Sequence, residues 1–250
     1  MERVTLDKED GGLRVLTLNH PEKRNIIDDR MRADLMEAVT AVRTDPAATA
    51  LVVTGAGPAF CGGADLPAIF GDDSRSVAAL RDDLHTVYAS FLALRSLDVP
   101  TIAAVRGPAV GAGLNLAMAC DIRIAGRDAK FAATFSRIGL HPGGGCTWFL
   151  VQAMGEQRAL ALLLDGGTVE GPDAVAAGLA VAVADDPLAA AVERARRYAA
   201  MDPQLTRDIK KAVRTAAHGG FEASLAFESW AQASSATKPA FRDVVAQYRR

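Results

Sequence analysis

Two stretches of the chain carry residue types that could do chemistry. Gly107 to Asp121 (GPAVGAGLNLAMACD) and Gly55 to Leu66 (GAGPAFCGGADL) each follow a short apolar run and crowd small residues together. In the first, Gly111, Ala112 and Gly113 open an apolar helical run; in the second, Gly62, Gly63 and Ala64 precede Asp65. Small residues let a backbone come close to a neighbour, and a helix start leaves N–H groups free to face negative charge. Either stretch read alone is equally a tight packing turn between a strand and a helix. Two strand ends that each offer an N–H supply the minimum for an oxyanion hole, which stabilises charge developing on a carbonyl oxygen. Spacing alone does not establish that the two meet.

Titratable candidates are sparse. His141 lies in a glycine-rich loop, Gly139 to Gly145 (GLHPGGG), where an imidazole could act as acid, base or hydrogen-bond donor, or could brace the turn. His85 falls in an amphipathic helical stretch, either as a site histidine or as a solvated or core one. His20 precedes Pro21 in a charged connector and is expected at the surface, and His218 beside Gly219-Gly220 reads as a helix C-cap. Asp72, Asp73 and Ser74 read as an exposed acidic loop tip. Ser136 has no paired base and no nucleophile-elbow pattern. Cys61, Cys120 and Cys146 are scattered without metal-ligand spacing, so buried reduced thiols are expected and no metal site.

The elements that must position these residues alternate between strand and helix. Arg14 to Asn19 reads as a strand, Asp28 as the N-cap of a helix over 29–43, and Ala50 to Thr54 as a strand covered on both faces. A helix from Ser76 to Leu97 leads to a strand at Thr101 to Val105, and Asp121 to Ala125 and Lys130 to Ala133 are short strands. Helices follow over 146–154 and Glu156 to Leu164, then a short helix at Pro172 to Ala177 and a last strand at 181–183. Pro187 to Ala200, Pro203 to Ala217 and Phe221 to Ala233 read as helices. The pattern is α/β, with a core over 1–186 and a helical appendage over 187–250.

Composition sets outer limits. A chain of 250 residues, 50% hydrophobic and 23% charged, reads as globular and soluble. A net charge of −2 argues against a nucleic-acid surface. The charged first residues lack a signal-peptide core, and no uncharged run reaches the ~18 residues of a membrane span. A reducing, cytoplasmic setting is the expectation.

In order along the chain, GAGPAFCGGADL, PTIAAVRGPAVGAGLNLAMACDIRIA and FSRIGLHPGGG resemble the crotonase superfamily, the enoyl-CoA hydratase/isomerase family. The resemblance covers essentially the whole chain. It implies a crotonase-like spiral of repeated ββα units in two near-perpendicular sheets, with a C-terminal helical region that forms a homo-trimer or hexamer. It also implies an acyl-CoA thioester as substrate, with no separate cofactor. Matched position by position, the oxyanion donors would be the N–H groups of Ala64 and Ala112. Lys23, Arg24 and Asn25, with Ala64, Asp65 and Leu66, would line the CoA. Asp65 and Asp121 read as carboxylates that hold loops.

Enoyl-CoA hydratases use two glutamates on one water, and the matching positions here are Asn115 and Phe135. Asn115 can hydrogen-bond but cannot take a proton, and Phe135 makes its corner apolar. Loss of a general base typically removes ~10²–10⁴-fold in rate, so standard syn-hydration is not expected. His141 would then point into the thioester pocket. The expected protein is an enolate-stabilising acyl-CoA enzyme, hydratase-like by nearest resemblance, with isomerase or hydrolase chemistry open. The alternative is an acyl-CoA binding protein that kept the oxyanion hole and lost its acid–base groups.

Overall fold

The computed structural model describes residues 1–248. Apolar runs form its central layer. β1 (Val4–Lys8) and β2 (Leu13–Leu18) pair antiparallel, and β2 is followed by α1 (Asp29–Thr44) and β3 (Ala50–Gly55). Next come α2 (Leu66–Phe70), α3 (Val77–Leu92), β4 (Thr101–Val105), β5 (Pro108–Val110) and α4 (Ala112–Ala119). β6 (Ile122–Gly126), β7 (Lys130–Ala132), α5 (Cys146–Met154), α6 (Glu156–Leu164), β8 (Thr168–Glu170) and β9 (Ala182–Ala184) complete the two sheets. The chain ends with α7 (Pro187–Ala199), α8 (Pro203–His218), α9 (Phe221–Ala236) and α10 (Pro239–Gln247).

One sheet runs β1-β2-β3-β4-β6-β9, parallel from β2 onward, and a second runs β5-β7-β8. Every residue of β4 and all but the last of β3 are buried, as continuous apolar strands covered on both faces should be. α1 lies against α3 and β1, with Met31, Leu35, Ala38, Val39 and Val42 buried at helical spacing. Its start is fixed by Asp28, whose side chain accepts from Met31 N at 2.8 Å.

Several expectations are corrected. His20 is buried, at 2% exposure, with Nε2 3.1 Å from a Glu22 carboxylate oxygen. Its connector is not a loose surface strap because Asn25 ties it down: Asn25 Oδ1 accepts from His20 N at 2.8 Å, and Nδ2 donates to the carbonyls of Ala56 and Ala59, each at 2.9 Å. The segment from Pro172 forms only a 3₁₀ turn, Gly171–Asp173, too short before Gly178 for a helix. The helix begun at Val77 ends as α-helix at Leu92 and tightens to 3₁₀ over Ala93–Ser96. β1, β5, β8 and α10 were not anticipated; three of them are short or weakly alternating strands. α7 packs on β2, β3, β4 and β6, and its Ala191 and Ala195 complete a core layer with Leu13, Val52, Ile102 and Ile124. Packing therefore assigns this first helix beyond residue 187 to the core, while α9 and α10 bury none of their residues.

Candidate active site between two strand ends

The two small-residue stretches meet. Cys61 and Ala109 form a parallel bridge, with Cys61 N donating to Pro108 O at 3.1 Å and Val110 N to Cys61 O at 3.0 Å. Ala64 and Ala112 each lie three residues beyond that bridge (61 to 64, 109 to 112), so the segments run out in step. Each alanine follows a glycine in the left-handed half of backbone space, Gly63 at φ 105° and Gly111 at φ 53°. Gly113 closes the gap: a methyl group there would lie 2.2 Å from the Cys61 carbonyl oxygen. Among the described residues, no acceptor takes the N–H of Ala64 or of Ala112, the first residue of α4.

Both alanines line a cavity of about 110 Å³. Its wall takes Leu66 and Ile69 from α2, Leu84 and Tyr88 from α3, Asn115 from α4 and Phe135 from the 3₁₀ turn Thr134–Ile138. Among the described residues, no carboxylate, histidine or cation lines it, and Tyr88 is the one titratable side chain in its wall. Burial raises the Tyr88 phenol above its ordinary range, against a lowering hydrogen bond from Gly144 N–H. Asn115 is buried, and its Nδ2 donates to Gly143 O at 2.8 Å. Phe135 packs over Gly111, as its apolar character requires.

The other sequence candidates divide between support and surface. Asp65 caps α2 by accepting from Ala68 N at 3.2 Å. Lys23 and Arg24 are exposed and outside the cavity wall, but Arg24 O accepts from Gly62 N at 2.7 Å and so holds the first donor segment. His141 was expected to point into the pocket; it is exposed, with Nδ1 2.8 Å from Pro142 O, and its neighbour Leu140 lines the wall instead. His85 is exposed, and Tyr88, three residues along the same helix, takes the inward place. The available sequence signal for Tyr88 is its helical spacing with Leu84 and Phe91, which the sequence reading left unused. His218 ends α8 with its ring 5.4 Å from Trp148. Ser136 is exposed beside Gly166. Asp72 accepts from Ser74 N at 3.0 Å in an exposed turn. All three cysteines are free and buried, and burial pushes each thiol up to about 12, which suppresses nucleophilic chemistry. Among the described residues, no group of histidine, cysteine or carboxylate side chains could hold a metal ion, and no helix is long and apolar enough to cross a membrane.

Two strand ends over a small apolar cavity, on a pair of sheets joined through α4, define a class of α/β protein, and comparison with known proteins gives the family. The enoyl-CoA hydratase/isomerase family model matches residues 8–249. The chain belongs to that family, part of the crotonase superfamily. "Probable enoyl-CoA hydratase echA14" of Mycobacterium tuberculosis is 45% identical over 243 residues, 94% of each chain. The 1,2-epoxyphenylacetyl-CoA isomerase of Escherichia coli is 34% identical over 99% of this chain and 96% of its own. A crystal structure of an enoyl-CoA hydratase from a Polaromonas species superposes with a TM-score of 0.89 at 28% identity, covering 98% of this chain and 96% of the other.

Proposed function

We propose that this protein binds an acyl-CoA thioester with the thioester carbonyl between the N–H groups of Ala64 and Ala112, where charge on the enolate oxygen is stabilised. The observation that carries the reading is the pair of unpartnered amides set in register over one cavity. The chemistry differs from two-glutamate hydration, because the wall around the acyl group supplies an amide at Asn115 and a ring at Phe135 where a base would stand. Lys23 and Arg24, exposed near the first donor segment, supply positive charge for the CoA phosphates. The unpaired apolar surface of α9 and α10 fits assembly into a trimer or hexamer.

The test follows the absorbance of crotonyl-CoA. The expected result is no hydration at the rate of a two-carboxylate enzyme, with Asn115→Glu plus Phe135→Glu raising the rate at least ~10²-fold. Fast hydration by the unaltered protein would overturn the reading of its mechanism. The absence of any base in the wall favours a second reading, an acyl-CoA binding protein without turnover. It is distinguished by tight binding of acyl-CoA thioesters, none of which is consumed.

A further inference from the structure

Among the described residues His20 is the one buried imidazole, and both of its nitrogens face carboxylates. Nε2 lies 3.1 Å from a Glu22 oxygen. Nδ1 lies 3.7 Å from Asp28 Oδ2 and is buried without a hydrogen-bond partner. An ionised carboxylate only accepts, so each ring nitrogen needs a proton to be drawn to its neighbour. The neutral ring carries one N–H and turns a lone pair toward the second carboxylate, whereas the imidazolium carries two. The surrounding charges agree. Arg3 sits 3.3 Å from the same Glu22 oxygen, so a charged His20 makes two positive groups against two negative ones. On α1 the next charges, Asp29 and Arg32, pair with each other, and Lys23 and Arg24 of the connector are exposed. Residues 54–64, which close over the connector, carry no charge.

The connector that holds His20 also holds the first donor segment. His20 N donates to Asn25 Oδ1 at 2.8 Å, and His20 O accepts from Lys23 N at 3.1 Å and Asn25 N at 2.9 Å. These bonds keep Arg24 and Asn25 in the left-handed region, at φ 54° and 56°, where residues other than glycine stay only under such constraint. From there the chain runs beside residues 62–65. Arg24 O accepts from Gly62 N at 2.7 Å, Ile27 N donates to Gly63 O at 2.8 Å, and Ile27 and Ala64 form a parallel bridge. Asp28 follows directly, at once the cap of α1 and the carboxylate that faces Nδ1.

From this chain of contacts we propose that His20 is a positioning residue for the Ala64 donor: its charged ring fastens the connector between Glu22 and Asp28, the connector holds residues 62–65 in place, and loss of the ring proton slackens the Ala64 end of the oxyanion hole and weakens its hold on a thioester carbonyl. The inference rests on the acyl-CoA reading above. Ala112 belongs to α4, which none of these bonds touches, so one donor of the two responds. Carbonyl recognition thereby follows pH although, among the described residues, no carboxylate or imidazole lines the cavity.

Calorimetric titration of the full-length protein with butyryl-CoA and with S-butyl-CoA, the thioether that lacks the carbonyl, tests this from about pH 5.5 to about pH 8.5, the range in which histidine changes charge. The ratio of the two affinities cancels titration of the CoA phosphates, which both ligands share. In the unaltered protein butyryl-CoA is expected to bind about tenfold tighter at the acid end and about twofold tighter at the alkaline end, the loss of one of two hydrogen bonds. His20→Gln, which takes no proton, is expected to hold the lower ratio throughout. Asp28→Ser, which keeps a capping oxygen and removes the carboxylate, is expected to shrink the change. A ratio above one that does not vary with pH in the unaltered protein, or that varies equally in His20→Gln, overturns the inference. Should His20→Gln not fold, an undiminished change in Asp28→Ser overturns it. A ratio of one at every pH means instead that the oxyanion-hole reading itself fails.

Discussion

The cavity at the two strand ends and the anchor of α8 solve opposite problems with opposite materials. At the anchor, charge is concentrated. Asp121 sits 2.6 Å from Lys210 Nζ and 3.0 Å from Arg214 Nη2, and it accepts from both Thr101 N and Thr101 Oγ1 at 2.8 Å. Lys210, only 8% exposed, donates again to Val99 O at 2.7 Å. At the cavity, no ionised side chain among the described residues lines the wall, which is built of amide, phenol and apolar surface. The protein thus uses charge to pin its helical appendage to the sheet. It keeps charge out of the cavity wall, where the proposed site would act through neutral dipoles.

The largest expected effect comes from breaking the anchor. Asp121→Ala leaves Lys210 buried without its counterion, and removal of one partner from such a pair typically costs ~3–5 kcal/mol. Urea unfolding is expected to show a loss of about 3 kcal/mol, whereas acyl-CoA affinity measured well below the transition stays within about twofold, since distant sites act independently. A collapse of affinity alongside stability would erase the contrast between the two regions.

A smaller effect, of the opposite kind, is expected at the cavity. Gly113→Ala drives a methyl group to 2.2 Å from the Cys61 carbonyl oxygen, and backbone cannot swing aside as a side chain can. The two donor segments must separate, at a cost of about 2 kcal/mol in stability. Because Ala64 and Ala112 lose their register, binding of an acyl-CoA is expected to fall further than stability predicts. A variant that loses stability but binds normally would show that the donors do not act as a pair.

How much of this was legible in the sequence differs between the same two regions. The glycine and alanine clusters identified the donor segments because close backbone approach leaves a compositional trace. The pairing that brings Ala64 and Ala112 to one cavity left none, since register across Cys61 and Ala109 is not written in either stretch alone. Long apolar strands and capped helices such as α1 were readable from periodicity. β5, three residues inside a glycine-rich stretch, was not. Tyr88 was hidden because an aromatic at helical spacing looks like core, and His20 because Asn25, which buries it, reaches across to residues 56–60. Asp121 was read as a loop-holding carboxylate, yet its partners Lys210 and Arg214 lie about ninety residues away, beyond any local pattern.

The smallest effect concerns a third charge, one used as at the anchor but at the start of the chain. Asp34 is buried on α1, and its Oδ2 accepts from Glu2 N at 2.6 Å and Arg3 N at 2.7 Å, with Arg30 Nε 3.3 Å from the other oxygen. Burial alone would raise this carboxyl, but the two amides and the nearby guanidinium outweigh it and hold it below its ordinary value of 3.8. A carboxyl depressed in the folded state contributes stability that is fully present above its unfolded value and is lost as pH falls through the folded one. Asp34→Asn is therefore expected to cost about 1 kcal/mol at neutral pH. The deficit should shrink on acidification below the ordinary carboxylate range, as the unaltered protein loses the same contribution. Urea midpoints of the two proteins measured from neutral to acid pH check this. Parallel curves would mean that the N-terminal amides bind Asp34 no better than water does, and that charge fastens this chain only where cation and carboxylate meet, as at Asp121.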